Sequence, residues 1–345
     1  MVLAPHPDDE SLATAGILQR ACALGARTRV LFVTDGENNP WPQRALEWRW
    51  CILAADRSRW GTRRRAEALS ALSCLGVPFE SVRFLGYPDQ GLCDLLMTNP
   101  DPLLQDLVTE IAAWRPSILI DPTPVDRHPD HGALAVLTDF ALAQPALRNV
   151  RSTRLRYLVH GSLPREPGGS MPTLDLTKPE QDRKRRAILM HRSQLLLGGP
   201  GFLRFARPEE RYLPVARANA KDAWHNVTMG LLNRRDLHLT IGGTRRVGIG
   251  PLVIQVAVVT EQGSTVRVDI PMPSRGEAVI PISIGPNATP RMAYVKLDRP
   301  SERRLGFFDS MGWRSVPVMP AQHRSDTEDA APRTIAVEPH EIPVP

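Results

Sequence analysis

The chain has 345 residues, 42% of them hydrophobic and 23% charged, enough to bury a core in one large or two modest domains. This composition excludes disordered, collagen-like and disulfide-stapled classes. The formal net charge of +6 permits an anionic substrate or surface, but no RNA-binding signature, zinc-finger spacing or isolated basic arm accompanies it, so no nucleic-acid partner is expected.

In chain order, Val2–Ala4 is the stub of a strand, and Glu10–Leu24 carries a helical stripe of Leu12, Ala15, Ile17, Leu18, Ala21 and Leu24. Arg29–Thr34 reads as a buried strand and Thr62–Leu75 as a helix closed by Gly76. Val82–Leu85 is the next strand, and Pro102–Trp114 a helix with Asp101 at its cap and Pro102 at its first position. A strand over Ser117–Asp121, a helix over Pro129–Ala143 and a strand over Leu155–Val159 follow. After a Pro/Gly-rich connection, Thr177-Lys178-Pro179-Glu180 reads as a capping box opening a helix to about Leu196.

Repeated strand–helix–strand units predict an α/β fold with a Rossmann-like, mostly parallel three-layer sheet over residues 1–224. Short β-rich runs separated by Gly, Pro and Asn predict a sandwich-like β domain over 225–318. Residues 319–345 read as a disordered, Pro-rich, acidic tail. Four cysteines without a C-x-x-C pair suit buried thiols in a reducing, cytoplasmic compartment. No apolar run approaches the ~20 residues of a membrane span, and the N-terminus lacks the basic-then-apolar pattern of a leader peptide.

Open parallel sheets place their sites beyond the carboxyl ends of the strands. Two motifs lie there: Ala4-Pro5-His6-Pro7-Asp8-Asp9-Glu10 after the first strand, and Asp126-Arg127-His128-Pro129-Asp130-His131 after Ser117–Asp121. Either motif alone could be a turn, with Pro fixing φ and Asp capping the next helix. Together they can supply two imidazoles and a carboxylate, His6, Asp9 and His131, as the three protein ligands of a catalytic zinc site with one position left for water. Two His and a carboxylate also suit iron(II). Asp8 is then a base for the bound water. His128, one helical turn from His131, can donate to an oxyanion or a leaving amine, with Asp130 or Asp126 holding its ring.

These motifs resemble the PIG-L/LmbE-like family of metal-dependent N-acetylglucosamine deacetylases, in a likeness spanning roughly residues 1–215. The family patterns A-H-P-D-D-E and P-x-D-x-H-x-D-H are matched by Ala4–Glu10 and Pro124–His131. The resemblance implies that His6, Asp9 and His131 bind zinc, that Asp8 is the general base, and that His128 is the electrophilic or acid partner. Arg64-Arg65-Ala66-Glu67 looks like the family's R-x-x-E helix, which would turn Arg64 to the substrate. Pro88-Asp89-Gln90-Gly91-Leu92 is similar to its P-D-x-G-L loop, in which Asp89 would bind sugar hydroxyls, and His191-Arg192-Ser193-Gln194 to its later H-x-S-Q helix. The implied reaction is hydrolysis of an N-acetyl group from an amino-sugar conjugate by a metal-bound water. A zinc amidase acting on another acyl-amide conjugate, or a sugar-binding protein on an inactive scaffold, are the competing readings. No G-x-G-x-x-G, P-loop, H-E-x-x-H or G-x-S-x-G points to other chemistry.

Trp41–Arg65 holds four of the seven tryptophans and seven arginines. It reads either as a solvated helix with its tryptophans packed inward, or as a lid that stacks on sugar rings and pairs with an anionic group.

Overall fold

The computed structural model describes residues 1–161, 171–215, 227–232, 236–241, 253–263, 265–271, 276–281, 289–298, 309, 312–316 and 333–334. By its contacts the chain divides into two compact units, one formed by Met1–Thr138 with Asn149–Val215, the other by Asp139–Arg148 with Ala216–Pro345. The boundaries expected at 224 and 318 fall outside the described residues. Of the expected tail, the described part is Arg333–Thr334.

The first unit runs β1 (Val2–Ala4), α1 (Asp9–Ala13), α2 (Ala15–Ala23), β2 (Val30–Thr34), α3 (Pro40–Glu47), α4 (Ala54–Cys74), β3 (Val82–Tyr87), α5 (Leu92–Thr98) and α6 (Asp101–Trp114). It continues through β4 (Ile118–Pro122), α7 (Pro129–Ala143), β5 (Thr153–Tyr157), β6 (Thr173–Asp175), α8 (Lys178–Met190), α9 (Arg192–Leu203), β7 (Glu209–Arg211) and β8 (Leu213–Pro214), with α7 from Asp139 onward grouped in the second unit. The main sheet has the order β3-β2-β1-β4-β5-β8. Its first five strands are parallel and β8 is antiparallel. β1 and β2 are buried along their whole length, which is why they read as unbroken apolar runs without alternation. Val2, Ala4, Val30, Phe32 and Ile120 of the sheet form one core with Ala68 and Leu72 of α4, Leu75 just after it and Ile188 of α8.

The strand order reverses between β1 and β4. The chain builds outward from β1 to β3, returns to β4 beside β1, and builds outward again to β5. At such a reversal the connections leave in opposite directions and open a crevice at the carboxyl ends of the strands. The two His/Asp motifs are the segments that leave β1 and β4.

Two expected helices are divided. The helix from Glu10 breaks at Thr14, whose hydroxyl bonds the Glu10 carbonyl at 2.9 Å. The chain restarts as α2 because the buried Glu210 carboxylate receives the N–H groups of Gly16 (2.8 Å) and Ile17 (3.2 Å). Lys184 Nζ (2.7 Å) and the Tyr212 hydroxyl (2.8 Å) hold that carboxylate in turn. A remote carboxylate thus satisfies the free amides of a helix start and complements its dipole. The second break, at His191, separates α8 from α9. The buried ring lies 3.1 Å from Glu10 Oε1 and 3.2 Å from Ser11 Oγ. The capping box forms as expected, with the Thr177 N–H donating to Glu180 Oε2 at 2.7 Å. α5 is an added element, and the helix considered for Trp41–Arg65 is divided into α3 and the first turns of α4, which begins at Ala54 rather than Thr62.

The second unit contains β9 (Val227–Leu232), β10 (Asp236–Ile241), β11 (Val253–Thr260), β12 (Thr265–Pro271), β13 (Gly276–Pro281), β14 (Pro290–Asp298), β15 (Arg314–Val316) and β16 (Arg333–Thr334). They form two four-stranded sheets, β16-β13-β10-β9 and β12-β11-β14-β15, antiparallel except for the β13–β16 pair. The β-rich character expected of this region is therefore observed. Among the described residues no helix is long and apolar enough to cross a membrane, and all four cysteines are free thiols.

Candidate metal centre and active site

The loop leaving β1 is anchored before it reaches its carboxylates. The Thr34 amide and hydroxyl both donate to the Pro5 carbonyl, at 3.0 and 2.8 Å. The His6 N–H donates to Asp9 Oδ2 at 3.0 Å. This tight turn aims His6, Asp8 and Asp9 into the crevice, and all three are buried.

The segment leaving β4 is organised by Asp126. Its carboxylate accepts the backbone N–H groups of His128 (2.9 Å), Val159 (3.0 Å) and His160 (3.1 Å), joining the start of α7 to the end of β5. The same carboxylate lies 3.2 Å from His131 Nδ1. His131 then turns Nε2 to within 3.3 Å of Asp9 Oδ2, and His6 Nδ1 lies 3.4 Å from the same oxygen. Two imidazole nitrogens therefore face one carboxylate oxygen.

Each of those imidazoles has its other nitrogen against a buried carboxylate. For His131 it is Asp126. For His6, Nε2 lies 3.1 Å from Asp89 Oδ1 and 3.3 Å from Asp130 Oδ2. A carboxylate behind each ring fixes the tautomer and raises the basicity of the nitrogen in front, an arrangement metal-ligating histidines commonly show. Neither ring nitrogen of His131 has a hydrogen bond of proper geometry; a cation coordinated at Nε2 would give that buried nitrogen a partner, while Nδ1 faces Asp126.

The electrostatics favour bound positive charge. Burial opposes charge on His6, but hydrogen bonds to Asp130 and Asp89 outweigh it and hold its pKa well above the usual imidazole value. Burial likewise opposes charge on His131, yet Asp9 and Asp126 raise it to about 10. Burial would push Asp9 up, but the facing His131 and His6 hold it well below the usual carboxylate range. Carboxylates thus draw protons onto His6 and His131, and a divalent cation can displace those protons from the same nitrogens. The donor set fits zinc or iron(II).

Asp8 stands apart from this set. Burial raises its pKa to about 6, against the lowering pull of Arg64. Arg64 was expected to face the substrate. It is instead 3% exposed and gives its guanidinium to Asp8 Oδ2 (2.8 Å), the Pro7 carbonyl (3.1 Å) and the Gly36 carbonyl (2.8 Å). Gly36, at φ +64, must be glycine, because a Cβ there would lie 1.9 Å from Arg64 Nη1.

Asp130, with Asp126 as the alternative, was expected to hold the His128 ring. Its carboxylate is instead taken by the N–H groups of Leu92 (3.0 Å) and Gln90 (2.7 Å) and by His6. What Asp130 offers His128 is its backbone N–H, 3.3 Å from Nδ1. Nδ1 is therefore the acceptor of the ring, and its proton resides on Nε2. Burial and the neighbouring imidazoles keep His128 well below its usual pKa, so the ring is a neutral donor. Asp89, expected on sugar hydroxyls, is buried between His6 and the Asn38 N–H at 2.8 Å.

His160 was not singled out from the sequence. Its ring centroid lies 4.9 Å from that of His131 and 5.3 Å from that of His128. It offers a ligand atom within 4.8 Å of those of Asp9 and His131. The signal was present, because His160 follows the expected strand Leu155–Val159 at the same edge. The H-x-S-Q helix carries two roles that its sequence pattern does not disclose: His191 holds Glu10, and Ser193 binds Glu67 through its N–H (2.9 Å) and hydroxyl (2.6 Å).

Residues 1–142 match the family model described as PIG-L, GlcNAc-PI de-N-acetylase. A 1D-myo-inositol 2-acetamido-2-deoxy-alpha-D-glucopyranoside deacetylase of Rhodococcus jostii is 33% identical over 153 residues, covering 40% of this chain and 50% of the relative. A protein of the same description from Mycobacteroides abscessus is 29% identical over 211 residues, covering 55% of this chain and 74% of the relative. The chain thus spans about half the length of some curated relatives it matches and three quarters of another. Among solved structures, the conserved protein TT1542 from Thermus thermophilus is 28% identical with a TM-score of 0.45, covering 64% of this chain and 98% of that one.

Proposed function

We propose that this chain, which belongs to the PIG-L/LmbE family of de-N-acetylases, is a zinc-dependent hydrolase that removes the N-acetyl group from an N-acetylglucosamine-type conjugate, releasing a free amine and acetate. One observation carries the reading. A buried acid, Asp8, held by Arg64, adjoins a carboxylate whose oxygen faces one nitrogen each of His6 and His131.

When bound by His6, Asp9 and His131, zinc supplies a Lewis acid that polarises the amide carbonyl and acidifies water. The remaining steps fall to side chains. Asp8, ionised at neutral pH, accepts the proton of the attacking water. Arg64 keeps it ionised and oriented, so Arg64 acts through Asp8 as a positioning residue. His128 Nε2–H donates to the oxyanion as it forms, and its neutral state leaves Asp8 to return the proton to the departing nitrogen. Asp126 and Asp130 orient the two imidazoles from behind.

The test is amine release across N-acetylglucosamine conjugates by enzyme of measured metal content. Asp8→Asn should abolish turnover and retain metal, whereas His131→Ala should lose metal. Sugar binding without amine release, or full activity in Asp8→Asn, refutes the assignment. Stoichiometric iron in place of zinc corrects the metal alone.

A further inference from the structure

The six residues joining α3 to α4, Trp48–Leu53, read Trp-Arg-Trp-Cys-Ile-Leu. Trp48 is 91% exposed, Trp50 87% and Leu53 66%. The inward packing considered for this segment holds for Trp60, which is fully buried on α4. An indole can bury about 150–250 Å², and monomer surfaces seldom gather such side chains without a use for them.

The backbone adds a second observation. Trp48 ends α3 in the left-handed region, at φ 53. Helix ends of this kind ordinarily use Gly or Asn, and a bulky side chain there is an outlier. The strain is accepted at the residue with the greatest exposure among the large apolar side chains of the described residues.

Positive charge predominates around the loop. Residues 41–65 carry seven arginines; Arg64 is buried on Asp8 and Arg65 is paired with Asp35, and the other five stand against Glu47 and Asp56. Both acids are already engaged, Glu47 by Arg59 and Asp56 by Arg49 and Arg59, while Arg57 and Arg63 stand exposed along α4. On α9, beside α3, Leu196 and Leu197 also face water.

We propose that the Trp48–Leu53 loop and the exposed arginines of α4 dock this protein on an anionic bilayer surface. Indoles favour the headgroup level, where one end of the ring is apolar and the other wet, and aliphatic neighbours enter the acyl boundary. Each basic residue near an anionic leaflet contributes about a fivefold factor in affinity. Uncharged surfaces lack the complement to the arginines, and a purely electrostatic partner gives the exposed tryptophans and leucine no apolar phase. The elements that carry the loop also wall the crevice. Asn38, just before α3, donates its N–H to Asp89, and Arg64 of α4 binds Asp8. Docking there would hold the active edge close to the membrane. The inference does not depend on the reaction assigned above.

The full chain should be sedimented with vesicles of phosphatidylcholine alone and of phosphatidylcholine with phosphatidylserine, with tryptophan emission read in parallel. Binding should be at least about tenfold stronger on the phosphatidylserine vesicles, weaken with salt and shift emission to the blue. Trp48→Ser/Trp50→Ser should lose at least about tenfold in binding, and so should Arg57→Glu/Arg63→Glu, which leaves the indoles in place. The proposal is overturned if the parent shows no preference for phosphatidylserine, or if both double variants bind as well as the parent. It is equally overturned if the parent self-associates with concentration and the tryptophan variant abolishes that association, because a second copy then covers the patch.

Discussion

Replacing Arg64 by Gln tests the link between the buried cation and the base. The substitution removes the charge 2.8 Å from Asp8 but keeps an amide that can still donate. An opposite charge at such range lowers a carboxyl pKa by about one to three. In the parent, burial has already raised Asp8 to about 6 despite Arg64. Losing the cation should therefore move the acid limb of the pH–kcat/KM profile alkaline by about one to three pH units. Asp8 acts as base only when ionised, so activity near neutrality falls by about twofold to a hundredfold and recovers as pH rises. A cation on the neighbouring Asp9 lowers Asp8 in parent and variant alike, so the displacement between the two profiles survives metal loading. Arg64→Lys, which keeps the charge, should move the limb far less. The experiment is a pH profile of amine release at fixed metal occupancy. If Arg64→Gln loses activity equally at every pH, Arg64 supports the loop's shape and does not tune Asp8.

Three further outcomes follow from the structure. Asp126→Ala removes the carboxylate behind His131, and metal affinity measured by chelator competition should fall about 10–100-fold. Glu210→Gln leaves Lys184 buried without its counter-charge and weakens the start of α2, and denaturant unfolding should register a loss of about 3–5 kcal/mol. The pKa of Glu180 is held down to about 2 by Arg20 first and by Thr177. It therefore adds stability above its ordinary carboxylate range that is lost as pH falls through about 2. The difference in melting temperature between the parent and Glu180→Gln should accordingly shrink on acidification from neutrality.

Much of the site was legible because two signals coincided. β1 reads as the stub of a strand and β4 as a strand, and the polar motifs after them contain the residue types that bind metal. The parallel topology alone brings residues 6 and 131 together. The helix break at Thr14 was not legible, because its cause is Glu210, nearly two hundred residues away in sequence. The position of Arg64 was hidden for a similar reason. Its helix was recognised, but only the approach of Gly36 and the turn at Pro7 decide that the guanidinium points inward to Asp8 rather than outward to a ligand.

The partner of His128 is a different case, since helix geometry already contained the answer. Residues two apart on a helix point to nearly opposite sides, whereas residues three apart share a face. His128 and His131 could therefore both enter the crevice from the start of α7, and Asp130 between them could not turn its carboxylate to the same ring. It had to face another element, and it meets the loop at Gln90–Leu92 and the far nitrogen of His6. Asp126 precedes the helix and is free of that periodicity, so it can reach back to His131. The two acids of the second motif thus serve the two imidazoles contributed by different strands, and this division binds the β1 and β4 loops into a single site.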